Sequence, residues 1–298
     1  MTGLLVAGHG SADPDGAAQF RQFVERVAGR LAGDGVPVAG GFIELSPPPI
    51  RDAVAGLVTA GAARIAAVPL MLVAAGHAKG DIPAALHRER QRHPGLEFVY
   101  GRPIGPHPAV LAVLQDRLST VDIDSDTVVL LVGRGSTDPD ANGEVAKVAR
   151  LLAETTGVAG VEYGFVSLAP PGVPAALERC RLLGAHRIVV LPYFLFTGVL
   201  PRRVAEQARR WAAGQPSPTV SSAGVIGDCD ELAGVVVERY REALAGDLRM
   251  NCDTCVYRIP LPGYRHLVGA AQIPHDHPHD HAHGHRHLPL SVAPRDVP

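Results

Sequence analysis

The chain has 298 residues, enough for one large domain or two ordinary ones, and is 46% hydrophobic against 19% charged, as a folded globular protein is. A formal net charge of −2 excludes the basic field that nucleic-acid binding needs, and no apolar run reaches the roughly 18 residues needed to cross a bilayer. The opening MTGLLVAGHGS lacks the positive region of a secretory leader, and four cysteines without regular disulfide spacing suit a reduced compartment, so a cytoplasmic protein is expected.

Taken in chain order, short apolar or β-branched runs alternate with longer helix-like segments. Strands are predicted over 4–7, 38–43, 65–69 and 97–100, and helices over 17–32, 50–60, 80–92 and 108–118. The pattern then starts again, with strands near 128–132, 161–166, 187–192 and 219–223 and helices near 141–155, 173–183, 201–213 and 229–245. This alternation predicts an α/β protein with parallel, doubly wound sheets, and the continuously apolar runs suit strands buried on both faces. Beyond about residue 247 the periodicity stops.

The restart is a duplication. LLVAGHGSADPDG near the start parallels LLVGRGSTDPDANG near the middle, GGFIELSPPPI parallels YGFVSLAPPGV, and GAARIAAVPLMLVAAGH parallels GAHRIVVLPYFLFTGV. The three matches keep their order at offsets of 125, 123 and 123 residues, a domain-sized period rather than that of a solenoid. Two tandem domains, 1–120 and 127–246, are therefore expected, followed by an extension over 247–298.

In open α/β sheets, ligands bind beyond the carboxyl ends of the strands. That rule selects His9 after the first strand, Glu44 at the end of the second, and His77 in a Gly-rich loop after the third. Two imidazoles and a carboxylate at one sheet edge can bind a divalent first-row metal or move protons near neutral pH. Each alone reads as readily as a hydrogen-bonded loop histidine or a capping carboxylate; the three together do not. In the second repeat the same positions hold Arg134, Ser167 and about Val199, while the framework around them persists. A structural requirement would apply to both copies, so the first repeat is expected to carry the chemistry.

The ordered set GHGS, FIE and GH resembles the class II chelatases of tetrapyrrole synthesis, in particular the sirohydrochlorin chelatases, over roughly residues 1–245. The resemblance implies two similar α/β domains across a cleft and a lyase that inserts Co²⁺ or Fe²⁺ into sirohydrochlorin, for cobalamin or sirohaem. It also implies that His9 and His77 bind the metal and accept protons, with Glu44 as their carboxylate partner. Which histidine does which stays open. Such a substrate carries many carboxylates, so cationic or N–H donors are expected along the cleft. Arg51, Lys79, Arg134 and Arg202 are candidates, as are Gly8, Gly10 and Ser11 for close backbone approach. The alternatives are solvated surface for basic residues such as Lys79 and Arg102, and a simple turn requirement for the glycines.

The extension contains MNCDTC, with Cys252 and Cys255, and then His275, His277, His279, His281, His283, His285 and His287. Together they resemble the end of the long-form cobaltochelatases, where the Met-x-Cys-x-x-Cys motif is associated with an iron–sulfur centre, and so tilt the metal towards cobalt. A [4Fe–4S] cluster takes four thiolates as a rule, so Cys229, Cys180, other ligands or a second subunit would be required. A zinc or redox pair, or two plain thiols, are the alternatives. The histidine run, alternating with Asp, Pro, Ala, Gly and Arg, cannot build a packed core and is expected to be disordered; it reads as a metal reservoir or delivery arm, or as a solvated tail that binds metal incidentally. Monomer and homodimer are both compatible with the sequence.

Three other classes compete with this reading. A histidine phosphatase would need an Arg before His9, and Gly8 stands there. A non-catalytic metal carrier would need only the tail, which leaves the strand-end triplet unexplained. A degenerate phosphate loop is weaker still, because no Gly-Lys-Ser/Thr follows either glycine-rich turn.

Overall fold

The structure is a computed structural model and describes residues 1–247, 255–258, 260 and 262–270. The first repeat runs β1 (Thr2–Gly8), α1 (Pro14–Leu31), β2 (Val38–Phe42), α2 (Ile50–Thr59), β3 (Arg64–Pro69), α3 (Ile82–Arg92), β4 (Glu97–Tyr100) and α4 (Pro108–Ser119). The second runs β5 (Thr127–Gly133), α5 (Pro139–Thr155), β6 (Gly160–Phe165), α6 (Val173–Leu182), β7 (Arg187–Pro192), α7 (Val199–Ala213), β8 (Thr219–Ser222) and α8 (Asp230–Ala245). Among the described residues these strands form two parallel sheets, ordered β2-β1-β3-β4 and β6-β5-β7-β8. The expected α/β, doubly wound, duplicated architecture is the one observed.

The central strands are apolar throughout because helices cover both faces. Leu4, Leu5, Val6 and Ala7 are all fully buried, with Leu5 opposite Ala39 on one side and Ala67 on the other. On the outer face of the first sheet, α2 and α3 supply Ile50, Val54, Leu57, Ile82 and Leu86. The inner faces of both sheets join one core that runs through the molecule.

Helices α1 and α5 start earlier than their spacing predicts, at residues 14 and 139. The Asp-Pro-Asp stretch at their entry is a capping unit. Asp13 and Asp138 accept from the backbone N–H of Asp15 and Asp140, and the proline at the first helical position has no N–H to leave unsatisfied.

The last helix of each repeat crosses to the other repeat. Helix α8 packs on α1, β3 and β4, while α4 packs on α5 and β7. Two equivalent arginines fasten the exchange. Arg117 of α4 donates from Nε to the Val225 carbonyl (3.0 Å) and from Nη2 to the Ile226 carbonyl (2.9 Å). Arg239 of α8 donates likewise to Pro103 (3.2 Å) and Ile104 (3.1 Å). Each sheet is thus completed by the other repeat, and the cleft between them is fixed.

Candidate functional site

In the first sheet the chain leaves β1 towards β2 on one side and returns to β3 on the other. Beyond the carboxyl ends of β1 and β3 lies the topological switch point, where such sheets bind ligands. His9 directly follows β1. Glu44, two residues past β2, is brought back to it by backbone bonds from Ile43 N–H to the Gly8 carbonyl (2.9 Å) and from Glu44 N–H to the His9 carbonyl (3.1 Å). The second repeat makes the same pair, from Val166 to Gly133 and from Ser167 to Arg134. Arg134 therefore occupies the slot of His9, and Ser167 that of Glu44.

Gly10 lets this crossing happen. Its φ is +105°, and a Cβ there would stand 1.8 Å from the Glu44 carbonyl oxygen; Gly135 makes the same approach to Ser167 at 1.9 Å. We expect Gly10→Ala to cost about 3 kcal/mol in urea denaturation through backbone strain and overlap. Gly61→Ala, at φ +90° with nothing within 4 Å, should cost about 1–2 kcal/mol. Equal losses would mean that the close approach is unimportant.

His77 departs from its predicted setting. It is the first residue of a π-helical turn, His77–Asp81, that runs into α3, and so does not lie in a loop. The turn aims the imidazole back over the sheet edge. His9, Glu44 and His77 each offer a ligand atom, all within 4.8 Å of one another, a set that small side-chain adjustments close onto an ion with bonds of about 2.0–2.2 Å. The two rings meet edge to face with centroids 4.4 Å apart, and His9 Nε2 lies 3.2 Å from Glu44 Oε1.

The partners of the imidazoles bear on where their hydrogens sit. His9 stands between two acceptors, with Nδ1 3.2 Å from the Gly10 carbonyl and Nε2 3.2 Å from Glu44 Oε1, and a neutral ring can donate to one of them at a time. His77 Nδ1 donates to the Asp81 carboxylate at 2.6 Å, so in the neutral His77 ring Nε2 keeps its lone pair. Burial pulls the His77 pKa below the ordinary histidine value of 6.5; Asp81 opposes this, Arg134 adds to it, and Glu44 opposes it weakly.

The remaining candidates distribute differently. Arg134 is exposed on the cleft side, and its charge acts on both Glu44 and His77 across the divide between repeats. Packing around it lowers its pKa and Glu44 opposes that shift, yet a guanidinium remains charged throughout the working range. Lys79 is not on solvated surface, nor is it turned to the site. Its side chain is 9% exposed, and Nζ donates to Asp138 (2.6 Å) and Asp140 (3.1 Å) at the start of α5. Arg202 pairs with Asp13 and Asp15 at the start of α1 in the same manner. Ala74 N–H to Glu144 and Thr197 N–H to Gln19 complete two matching clamps between the repeats. Arg102, also expected at the surface, donates both nitrogens to Glu242 of α8. Arg51 is exposed and pairs with Asp52 on α2.

Gly8 and Ser11 have framework duties. A Cβ on Gly8 would strike the Phe20 ring at 2.6 Å. The Ser11 hydroxyl accepts from Asp13 N–H, and Ser136 does the same for Asp138. Asp81 was not singled out from the sequence, although a carboxylate four residues after a histidine at a helix entry is a readable spacing. Cys180 is buried in the apolar core of the second repeat, where loss of hydration pushes its thiol up to about 12. Cys229 lies at the start of α8 and Cys255 is half-buried. Cys252 and His275, His277, His279, His281, His283, His285 and His287 lie outside the described residues. Among the described residues no helix is long and apolar enough to cross a membrane.

A family model described as CbiX matches residues 3–121 and 128–243. The chain is 38% identical over 264 residues to the sirohydrochlorin cobaltochelatase of Priestia megaterium, covering 87% of this chain and 85% of that one. It is 32% identical over 248 residues to the sirohydrochlorin ferrochelatase of the same organism, covering 82% and 91%. Among solved structures, SirB from Bacillus subtilis with Fe³⁺ matches with a TM-score of 0.72 at 30% identity, over 83% of this chain and 96% of that one.

Proposed function

This chain belongs to the CbiX family, and from that premise we propose that it is a sirohydrochlorin chelatase, a lyase that inserts a divalent metal into the tetrapyrrole. The observation that carries the reading is the gathering of His9, Glu44 and His77 within 4.8 Å at the switch point of one sheet, with Arg134 facing them from the other repeat. Cobalt is the favoured metal, supported by the cobaltochelatase relative and by the character of the C-terminal extension. Iron is the second reading, supported by the ferrochelatase relative. A cytoplasmic setting is in keeping with four cysteines that lack regular disulfide spacing.

Insertion replaces two pyrrole N–H protons with one M²⁺ and strips water from the ion. A small set of neutral nitrogen ligands suits that task, since a closed, highly charged site would retain the metal. His9 and His77 present ring nitrogens to hold the ion loosely or to take the departing protons, and Glu44 beside His9 Nε2 assists proton removal. Arg134 anchors a substrate carboxylate, which orients the macrocycle over the cluster. Cys252 and Cys255 would supply two thiolates to an iron–sulfur centre, the remaining ligands coming from elsewhere. Cys180 is no partner for them, because its sulfur sits in a closed apolar core. The tail histidines 275–287 serve as a metal reservoir or delivery arm.

The test is an anaerobic absorbance assay of sirohydrochlorin with Co²⁺ or Fe²⁺. The expected result is metal-dependent conversion, faster with Co²⁺; faster conversion with Fe²⁺ would move the assignment to sirohaem, and none with either would reject insertion. The pH profile is a second check. Because burial depresses the His77 pKa, the ring stays neutral to below pH of about 6.5, so the acid limb of the rate should lie under that value. The same shift makes folding stability constant above about 6.5 and lower as pH falls through the folded-state pKa. An acid limb above pH 7 would contradict this assignment.

A further inference from the structure

We infer that Asp81 is a positioning residue for insertion: it holds the His77 imidazole in the Nδ1–H form, with Nε2 presented to the metal and substrate. The inference rests on the chelatase reading of the His9, Glu44 and His77 cluster and extends it to a residue outside that cluster.

Three observations carry it. The first is the contact itself. His77 Nδ1 and Asp81 Oδ2 are 2.6 Å apart, short for a hydrogen bond from nitrogen, and the two side chains are only 18% and 14% exposed. Water is largely kept from competing, so the carboxylate decides both which nitrogen carries the hydrogen and how the ring is turned. A second partner behind a metal-binding imidazole commonly acts in this way.

The second is the local backbone. Residues His77–Asp81 form a π turn, a conformation rare in proteins and concentrated at functional positions. The corresponding segment of the second repeat enters α7 as ordinary α-helix from Val199. Matching the buried positions Ile82 with Val204 and Leu86 with Ala208 places Val199 opposite His77 and Arg203 opposite Asp81. Histidine, carboxylate and π turn are absent together from the copy that lacks the other reactive groups. A device needed only for folding would be required in both.

The third is redundancy. The turn is held without Asp81, by the Tyr100 hydroxyl on the Ala78 carbonyl (2.7 Å), by Lys79 on Asp138 and Asp140, and by Ala74 N–H on Glu144 (2.9 Å). Asp81 can be removed with the backbone kept in place, which leaves the ring as the part that loses its support.

The experiment compares full-length wild type, Asp81→Ala and Asp81→Glu in three measurements. Side-chain nitrogen NMR reads the His77 tautomer without metal, titration reads the affinity for Co²⁺ alone, and steady-state assay separates kcat from KM for sirohydrochlorin. Asp81→Ala is expected to mix the His77 tautomers, to weaken Co²⁺ binding and to lower kcat about 10–100-fold with KM little changed. Asp81→Glu should recover part of both tautomer and rate. A folded Asp81→Ala protein with wild-type kcat, or with one unchanged His77 tautomer, would overturn the assignment. If wild type itself gave no insertion, the chelatase reading would fail, and the tautomer and Co²⁺ affinity would still decide the role of Asp81.

Discussion

His77→Ala is expected to lower metal insertion by about 10²–10⁴-fold, the range spanned by loss of a proton-transferring group, while leaving the protein folded. The substitution removes the imidazole and keeps the backbone of the turn. His77 contacts the His9 ring and donates to Asp81, whereas the turn that carries it is fastened by its neighbours. Its loss takes away one of the three ligand atoms that the described residues gather in the cluster and lengthens the path for a pyrrole proton. Val199→Ala, at the corresponding site of the second repeat, should leave the rate within about twofold. The two variants separate chemistry from framework. A His77→Ala protein with unchanged circular dichroism and a rate within tenfold of wild type would place the chemistry elsewhere.

Arg239→Ala is expected to show the largest loss of stability, about 3–5 kcal/mol in urea denaturation. The Arg239 side chain is completely buried and pairs with Glu238 and Glu242 while donating to the Pro103 and Ile104 carbonyls. Removing it strands Glu242 beside Arg102 alone and leaves two inward-facing carbonyls short of a donor. It also deletes apolar stem packed between α8 and the first sheet. Arg241, on the same helix but 67% exposed and 3.6 Å from Asp34, should cost under about 0.5 kcal/mol when truncated. Similar effects for the two would mean that the helix exchange does not hold the repeats together.

Much of the site is legible in the sequence because it follows from strand ends. The runs LLVA, RIAAVP and their repeats are apolar without alternation, which only strands covered on both faces require, and the residue after each such strand in a parallel sheet projects over one edge. That reasoning reaches His9, Glu44 and His77 with no coordinates. The duplicated loop adds a control, since Arg134 and Ser167 keep the backbone bonds of His9 and Glu44 while changing the chemistry.

The remainder depends on contacts between segments that are remote in sequence. An amphipathic pattern shows that α4 and α8 each have a face to bury, but it carries no information on which sheet receives that face, so the exchange between repeats stays invisible. The same limit misplaces Lys79, whose partners Asp138 and Asp140 lie some sixty residues away. Arg134 reads in the sequence chiefly as the loss of a histidine. In the fold it is a cation delivered to Glu44 and His77 from the opposite repeat, which explains why one loop is kept twice with different side chains. Asp81 is hidden for another reason: a run that fits an ordinary helix entry gives no sign of the π turn.

The central claim is that metal enters the tetrapyrrole at His9, Glu44 and His77, and that the tail histidines serve supply. The most direct measurement is anaerobic turnover of sirohydrochlorin at saturating Co²⁺ by two full-length variants. One replaces His275, His277, His279, His281, His283, His285 and His287 with Ser; the other replaces His9 alone with Ala. The account predicts near wild-type conversion by the first, and Co²⁺ binding without conversion by the second. Conversion lost with the tail histidines yet retained without His9 would contradict it, and would return the protein to the class of metal carriers.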